Sequence, residues 1–143
     1  MNVKKASVPE EQAKKVNQLY SDARHWKSNL QFMQDEITFF SGLLNSYIFE
    51  PNTPMLFERL QDYQERLKRT IARKTEVTQK ILRHENKLGG MLECKDEACD
   101  LGFYNKHNAL KAEIVSYVHD FQFLKREIFN YAGGILKKKR TKE

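Results

Sequence analysis

Three of the four histidines, together with Asp22, are the residues whose types and spacing could bind a metal ion. His84 and His107 occupy positions where an apolar residue would continue a heptad pattern, and His25 lies beside Trp26. Asp22 and His25 are three residues apart, which places them on one face of a helix. If the segments pack as antiparallel helices, His84 comes level with His107 and within two turns of Asp22 and His25. Imidazoles and carboxylates that converge from separate helices form metal sites in bundles and would suit zinc, iron or copper.

A structural interpretation of the same histidines competes with metal binding, and we favour it. A neutral histidine at a heptad position can form hydrogen bonds across the helix interface, and such polar layers fix the register of a bundle. The paired Glu-x-x-His motifs of ferritin-like di-iron bundles are absent from the sequence. The leading interpretation therefore has no cofactor, and the alternative is a zinc or iron site at His25, His84, His107 and Asp22.

The two cysteines, Cys94 and Cys99, lie in an acidic segment with four residues between them. A zinc site needs two more ligands, which His84 and His107 could supply because they are expected near the same end of the bundle. No secretory signal accompanies the pair, so we expect reduced thiols in a loop.

Acidic residues recur at seven-residue intervals in the last helical segment, at Glu113, Asp120 and Glu127. Such a column lies beside a heptad seam and predicts ion pairs with Lys or Arg of a neighbouring helix. A catalytic carboxylate pair would need an enclosed pocket, which a filled seam does not offer. Glycine-rich phosphate loops, Ser/His/Asp sets and dinucleotide fingerprints are also absent from the sequence, so we expect a protein that is not an enzyme.

Long heptad patterns predict the elements that position these side chains. The first apolar seam consists of Val16, Leu19, Ala23, Trp26, Leu30, Met33, Ile37, Phe40, Leu44 and Tyr47. Its steps of three and four residues are typical of a long helix packed lengthwise on other helices. Similar patterns run from Leu56 to Leu88 and from Phe103 to Ile135. The sequence therefore predicts an all-α fold, an elongated antiparallel bundle of three long helices in one domain of residues 1–136.

Capping and breaking residues predict the helix boundaries. A capping box at Ser7 and Glu10 begins the first helix, and Pro51 ends it. Pro54 suits the first turn of the second helix, and Gly89-Gly90 suits a glycine C-cap at its end. The resulting helices span about residues 8–49, 54–88 and 102–133.

The first helix carries a second, partly apolar row beside its seam: His25, Asn29, Phe32, Glu36, Phe39 and Leu43. Phe123 and Phe129 likewise lie off the seam of the third helix. This surplus of apolar surface predicts self-association, and the leading function is a non-enzymatic interaction module that works by pairing of helix faces with a protein partner or a second copy.

The net charge of +6 is concentrated in a C-terminal tail of residues 137–143, which carries five positive charges and one negative. We expect this tail to be disordered, and binding of an anionic polymer or a membrane surface through it is a second alternative function. No specific nucleic-acid motif is present. Neither a signal peptide nor a membrane-spanning apolar run is found, so a cytoplasmic location is expected.

The segment His25-Trp26-x3-Leu30-x-Phe32-x2-Asp35-Glu36-Ile37-x-Phe39-Phe40 resembles a group of small bacterial helical proteins in which a His and a Trp open a similar run. The resemblance extends to Leu82-Arg83-His84-Glu85 and to His107. That group has no assigned activity, so the resemblance implies an all-α bundle and no mechanism.

Overall fold

The computed structural model describes the backbone of residues 8–46 and 54–141 and the side chains of residues 9–46 and 54–135. Three helices pack against one another: α1 (Val8–Leu44), α2 (Leu56–Leu88) and α3 (Glu97–Thr141). A short 3-10 helix, Gly89–Glu93, follows α2. The described residues contain no strand. The predicted all-α helical bundle is confirmed.

The heptad seams form the core, as their spacing predicts. Every described member of the first seam is buried, including the large side chains Trp26, Ile37 and Phe40. Each such side chain stabilises the fold by roughly 1.5–3 kcal/mol when it is removed from water. The seam of α2 is interrupted at Thr70 and Lys74 in unit 2 and at His84 in unit 1, and all three residues are only half-buried. Apolar layers therefore set the register of the helices, with polar contacts where this seam is interrupted.

The end of α1 lies earlier than the sequence predicts. The helix stops at Leu44, and the backbone N–H groups of Asn45 and Ser46 bond to the carbonyls of Gly42 and Leu43. The side chains of Asn45 and Ser46 donate to the carbonyls of Ser41 and Leu43, which satisfies acceptors that a helix end leaves open. Residues 47–53, which include the proposed stop at Pro51, lie outside the described residues, as does the proposed capping residue Ser7.

Gly89 and Gly90 do not form the predicted glycine C-cap. Neither has a positive φ, and the chain continues directly from α2 into the 3-10 helix. Met91 folds back onto the core and is fully buried with Val16 and Leu88.

The third helix is longer at both ends than predicted. It begins at Glu97 because Asp96 accepts a hydrogen bond from the backbone N–H of Cys99 at 2.8 Å, the geometry of an N-cap. It continues through Gly133-Gly134, where the buried Ala132 and Ile135 keep the helix packed. The predicted disordered tail is helical over residues 137–141, consistent with the good helix propensity of Lys and Arg.

Backbone contacts divide the chain into two compact units, and each contains a segment of all three helices. Unit 1 comprises the described parts of residues 1–30 and 76–114, and unit 2 those of residues 31–75 and 115–143. In unit 1, α3 runs antiparallel to α2 and parallel to α1. The contacts that set these directions are Lys80–Glu113, His84–His107, Gln12–Asp100 and Asp22–His107.

Unit 2 has the same internal arrangement, with α2 antiparallel to both α1 and α3. The contacts that set it are Gln34–Lys74, Asn45–Gln64, Arg66–Glu127, Arg73–Asp120, Glu36–Lys125 and Phe40–Phe129. Across the described residues, no helix combines the length and apolarity needed to cross a membrane.

Candidate functional site

Asp22, His107 and His84 form a continuous hydrogen-bonded chain through unit 1, with one residue from each helix. His107 Nε2 lies 2.9 Å from Asp22 Oδ2, and His107 Nδ1 lies 2.8 Å from His84 Nε2. The His107 ring is only 2% exposed, whereas Asp22 and His84 are half-buried. The indole of Trp26 packs on the chain, with its centroid 4.6 Å from that of His107. The sequence-predicted polar layer therefore joins α1, α2 and α3.

The directions of these hydrogen bonds follow from the chemistry of the groups. An ionised carboxylate only accepts, so His107 donates from Nε2 to Asp22. A neutral His107 then has an unprotonated Nδ1, which accepts the Nε2 proton of His84. The network thus assigns the Nε2–H tautomer to both neutral imidazoles and leaves Nδ1 of His84 unprotonated.

Three of the four predicted metal ligands come together in this chain, and His25 does not. His25 follows the exposed face of α1 next to Trp26. Both ring nitrogens of His107 are occupied by hydrogen bonds, so coordination through either one would replace a bond. Among the described residues, no group of three or more His, Cys, Asp or Glu side chains is arranged to hold a metal ion.

Burial and neighbouring charge act on the titration of His84. Burial has the largest effect and lowers the pKa of this imidazole, and the adjacent His107 lowers it further. Lys106 and Lys87 act in the same direction, while Glu85 opposes them. Glu85 itself forms an ion pair with Lys27 of α1 at 2.8 Å. The lowered pKa favours the neutral form of His84.

The cysteines are not the reduced thiols that the sequence led us to expect. Cys94 and Cys99 form a disulfide between the 3-10 helix and the first turn of α3. The two thiols are close because α3 begins at Glu97, earlier than predicted. Their sulfurs are bonded to each other, so the alternative zinc site with His84 and His107 does not form in this state.

A buried polar cluster beside the disulfide was missed by the sequence reasoning. Gln12 Nε2 donates to Asp100 Oδ1 and to the carbonyl of Met91, each at 2.7 Å, and Lys15 Nζ donates to Asp100 Oδ2 at 3.0 Å. The hydrogen bonds from Gln12 and Lys15 lower the pKa of Asp100. A signal was present: Gln12 lies four residues before Val16, so it extends the α1 seam by one step. The cluster ties the start of α1 to α3.

The acidic column of α3 pairs with α2 as predicted. The pairs in unit 2 are Arg66–Glu127 at 2.6 Å and Arg73–Asp120 at 2.7 Å. The pair in unit 1 is Lys80–Glu113 at 2.7 Å. Glu36 pairs in the same way with Lys125. Each of these carboxylates joins two helices through an ion pair.

Unit 2 exposes four phenylalanines along α1 and α3: Phe32 at 66%, Phe39 at 56%, Phe123 at 53% and Phe129 at 51%. We call Phe32, Phe39 and Phe129 the aromatic face. Phe39 and Phe129 adjoin, with ring centroids 6.4 Å apart, and Phe129 also packs edge-on against the buried Phe40 at 4.9 Å. The core of unit 2 is filled by the seam residues, so the aromatic face lies outside it. Exposed aromatic surface of this kind is typical of interaction sites.

No protein-family model, curated protein or solved structure matches the chain.

Proposed function

We propose that the protein is a non-enzymatic interaction module whose aromatic face pairs with the same face of a second copy. The observation that carries this proposal is that Phe32, Phe39 and Phe129 are each more than half exposed while the helix seams are filled without them. Apolar side chains in such a position cost free energy in water, and an interface that covers them recovers it.

A second copy is favoured as the occupant because the face is complementary to itself. In unit 2, α1 and α3 run parallel and in register: Glu36 pairs with Lys125, 89 residues away, and Phe40 packs on Phe129 with the same offset. A two-fold axis across the helices at the level of Glu36 brings Phe32 of one copy level with Phe129 of the other. Two-fold contacts use one surface twice, so a self-complementary face suits them.

Charge on the face supports the same pairing. Asp35 on α1 and Arg126 on α3 are both exposed. The two-fold axis at Glu36 brings Asp35 of one copy level with Arg126 of the other, so each interface contains this pair of opposite charges twice. Such complementarity fixes the register of an interface more than it adds to affinity.

Sedimentation velocity of the full chain over a range of concentrations tests the proposal. We expect a dimer that dissociates on dilution and that is weakened by Phe32→Ser or Phe129→Ser. Phe57→Ser is the matched control, since Phe57 is 72% exposed but lies in the first turn of α2, away from the aromatic face. A protein that stays monomeric up to about millimolar concentration contradicts the proposal. So does a dimer whose affinity is unchanged by Phe32→Ser and Phe129→Ser.

A charge swap tests the two-fold geometry itself. Asp35→Arg and Arg126→Asp should each weaken the dimer, because each places like charges opposite one another. The double variant should restore association, since it recreates the pair with its charges exchanged. Failure of the double variant to recover would exclude this axis.

Gly42 gives a further discriminating variant. It lies one turn after Phe39 in an exposed part of α1, and an added Cβ would meet no atom within 4 Å. Alanine is more favourable than glycine in a helix by about 1 kcal/mol. We therefore expect Gly42→Ala to stabilise the monomer and, if the second copy approaches α1 closely there, to weaken the dimer.

The cytoplasmic location stays a prediction from the sequence. The Cys94–Cys99 disulfide weighs against it, because disulfides are rare in reducing compartments.

A further inference from the structure

We propose that the Asp22–His107–His84 chain of unit 1 is an acid sensor that accepts one proton while closed and separates at the His84–His107 contact when it takes a second. This inference is independent of the association proposed for unit 2. It stands on one geometric fact: both ring nitrogens of the buried His107 are hydrogen-bonded, at 2.9 Å to Asp22 and at 2.8 Å to His84.

The first proton leaves both hydrogen bonds intact. When the two imidazoles are neutral, protons lie on Nε2 of His107 and on Nε2 of His84, and Nδ1 of His84 carries the free lone pair. A proton added at Nδ1 of His84 changes neither bond. A proton that lies instead between the two rings also keeps one donor and one acceptor at the contact, so the pair titrates as a unit.

The second proton cannot be accommodated in the same geometry. It must add to Nδ1 of His107, because every other ring nitrogen already carries a proton. Two N–H donors then face each other across 2.8 Å with no acceptor between them, and two cations adjoin in a partly buried site. Removing an acceptor from a buried contact costs its full desolvation penalty, and like charges add to it. The rings must move apart.

Charged groups on all three helices act on the two steps. Asp22 of α1 accepts a hydrogen bond from His107, and Glu85 of α2 raises the pKa of His84. Lys87 of α2 and Lys106 of α3 oppose the charge on His84. Lys27 of α1 forms an ion pair with Glu85, which reduces the effect of Glu85 on the charge of His84. Glu85 raises the pKa of His84, and Asp22 is bonded to His107 in the same pair, so both carboxylates favour the first proton.

Trp26 reports directly on the hydrogen-bonded chain of Asp22, His107 and His84. It is the single tryptophan of the protein, it is 7% exposed, and its ring packs 4.6 Å from His107. A protonated imidazole in contact with an indole quenches its fluorescence, and opening of the contact would expose the indole to water. The emission of Trp26 should therefore change in two steps, first in intensity and then in wavelength.

The test is a pH titration of the full chain, treated with a chelator, from about pH 8 to about pH 4.5. Trp26 emission and the imidazole nitrogen resonances are followed together. Hydrogen exchange, corrected for the intrinsic effect of pH, is compared between residues 80–88 and 103–110 of unit 1 and residues 63–70 and 121–128 of unit 2. We expect exchange in the unit 1 segments to rise at least about tenfold at the second step, relative to unit 2.

His84→Gln separates the sensor from a merely structural layer. The glutamine amide can donate to or accept from His107 but takes no proton, so this variant should show one step and no opening. Asp22→Asn should move the first step to lower pH, and His119→Gln, an exposed histidine of α3, should behave as the wild type. A wild-type titration with one step and unchanged exchange, or a His84→Gln variant that opens like the wild type, overturns the proposal.

Discussion

Tyr117 of α3 donates its hydroxyl hydrogen to the backbone carbonyl of Thr70 in α2, with the two oxygens 2.7 Å apart. The tyrosine is 1% exposed, and burial raises its pKa to about 12, so the hydroxyl keeps its proton at any pH near neutrality. Thr70 is one of the two places in unit 2 where the apolar seam of α2 is interrupted. The structure thus replaces a missing apolar contact with a hydrogen bond between helices.

We expect Tyr117→Phe to lower the free energy of unfolding by about 1 kcal/mol, the usual contribution of one such bond. The phenyl ring keeps the packing and the contact with the guanidinium of Arg73, which lies 5.3 Å from the ring centroid. Urea unfolding of the two proteins at neutral pH measures the difference. Equal midpoints and slopes would show that the Thr70 carbonyl does not need this donor.

The Arg66–Glu127 pair should contribute more than the other ion pairs between α2 and α3. Its atoms are 2.6 Å apart and both side chains are about two-thirds buried, whereas Arg73 and Asp120 are more exposed. Glu127 raises the pKa of Arg66, so the arginine remains charged. In a double-mutant cycle with Arg66→Gln and Glu127→Gln, we expect a coupling energy of roughly 0.5–1 kcal/mol.

The surface pair Arg69–Glu65, with atoms 3.8 Å apart, is the control for that cycle. Its coupling should be at most about 0.5 kcal/mol and should disappear in about 1 M salt, since exposed pairs are screened. A coupling at Arg66–Glu127 no larger than at Arg69–Glu65 would contradict the assignment.

How far the sequence predicts this structure depends on which residues one asks about. Every described residue of the α1 seam is buried as its spacing requires, and the pairing of the acidic column with α2 follows from the same seven-residue period. The histidine layer was also predictable, because antiparallel packing brings His84 level with His107. These features share one cause: a heptad pattern fixes which face of each helix meets another.

The predictions that the structure contradicts depend on the rotation of each helix about its axis and on the length of the loops. The heptad period fixes neither. His25 lies in the second row of α1, and a small rotation of that helix decides whether the row faces inward. The sequence predicts a loop at Cys94 and Cys99 because its pattern begins α3 near residue 102. The N-cap at Asp96 moves that start to Glu97, and the turn it creates brings the two sulfurs together.

Stability should fall in mildly acidic solution because of His84. Its pKa in the folded protein is lowered from the ordinary value of 6.5, first by burial and then by His107. Between the lowered pKa and 6.5, the unfolded chain binds more protons than the folded one, so the free energy of unfolding rises with pH. The contribution is complete above about pH 6.5 and is lost as the pH falls towards the folded pKa.

Urea unfolding of the wild type at about pH 7.5 and about pH 5.5 measures this loss, and His84→Gln should reduce it because the glutamine does not titrate. His119→Gln serves as the control, since His119 is exposed. If the His84→Gln protein loses as much stability on acidification as the wild type, the loss arises elsewhere.

The Cys94–Cys99 disulfide closes a short loop at the start of α3, and its removal should destabilise unit 1. For a loop of this length, constraint of the unfolded chain predicts a loss of about 2 kcal/mol on Cys99→Ser. Cys99 is exposed, so little packing is lost with it. Cys94→Ser should cost more, because Cys94 is buried against Val16, Leu19 and Met91 and the serine places a hydroxyl there.

Thiol alkylation with mass measurement checks the bond itself. The native protein should take up no alkylating agent until it is reduced, and then two equivalents, with a fall in the urea midpoint that matches Cys99→Ser. Comparison of the reduced protein with Cys99→Ser separates the effect of losing the disulfide bond from the effect of changing a side chain, because reduction keeps both sulfur atoms. Two reactive thiols in protein purified without reductant, or equal stability of the oxidised and reduced forms, would show that the disulfide does not hold the start of α3 against the 3-10 helix.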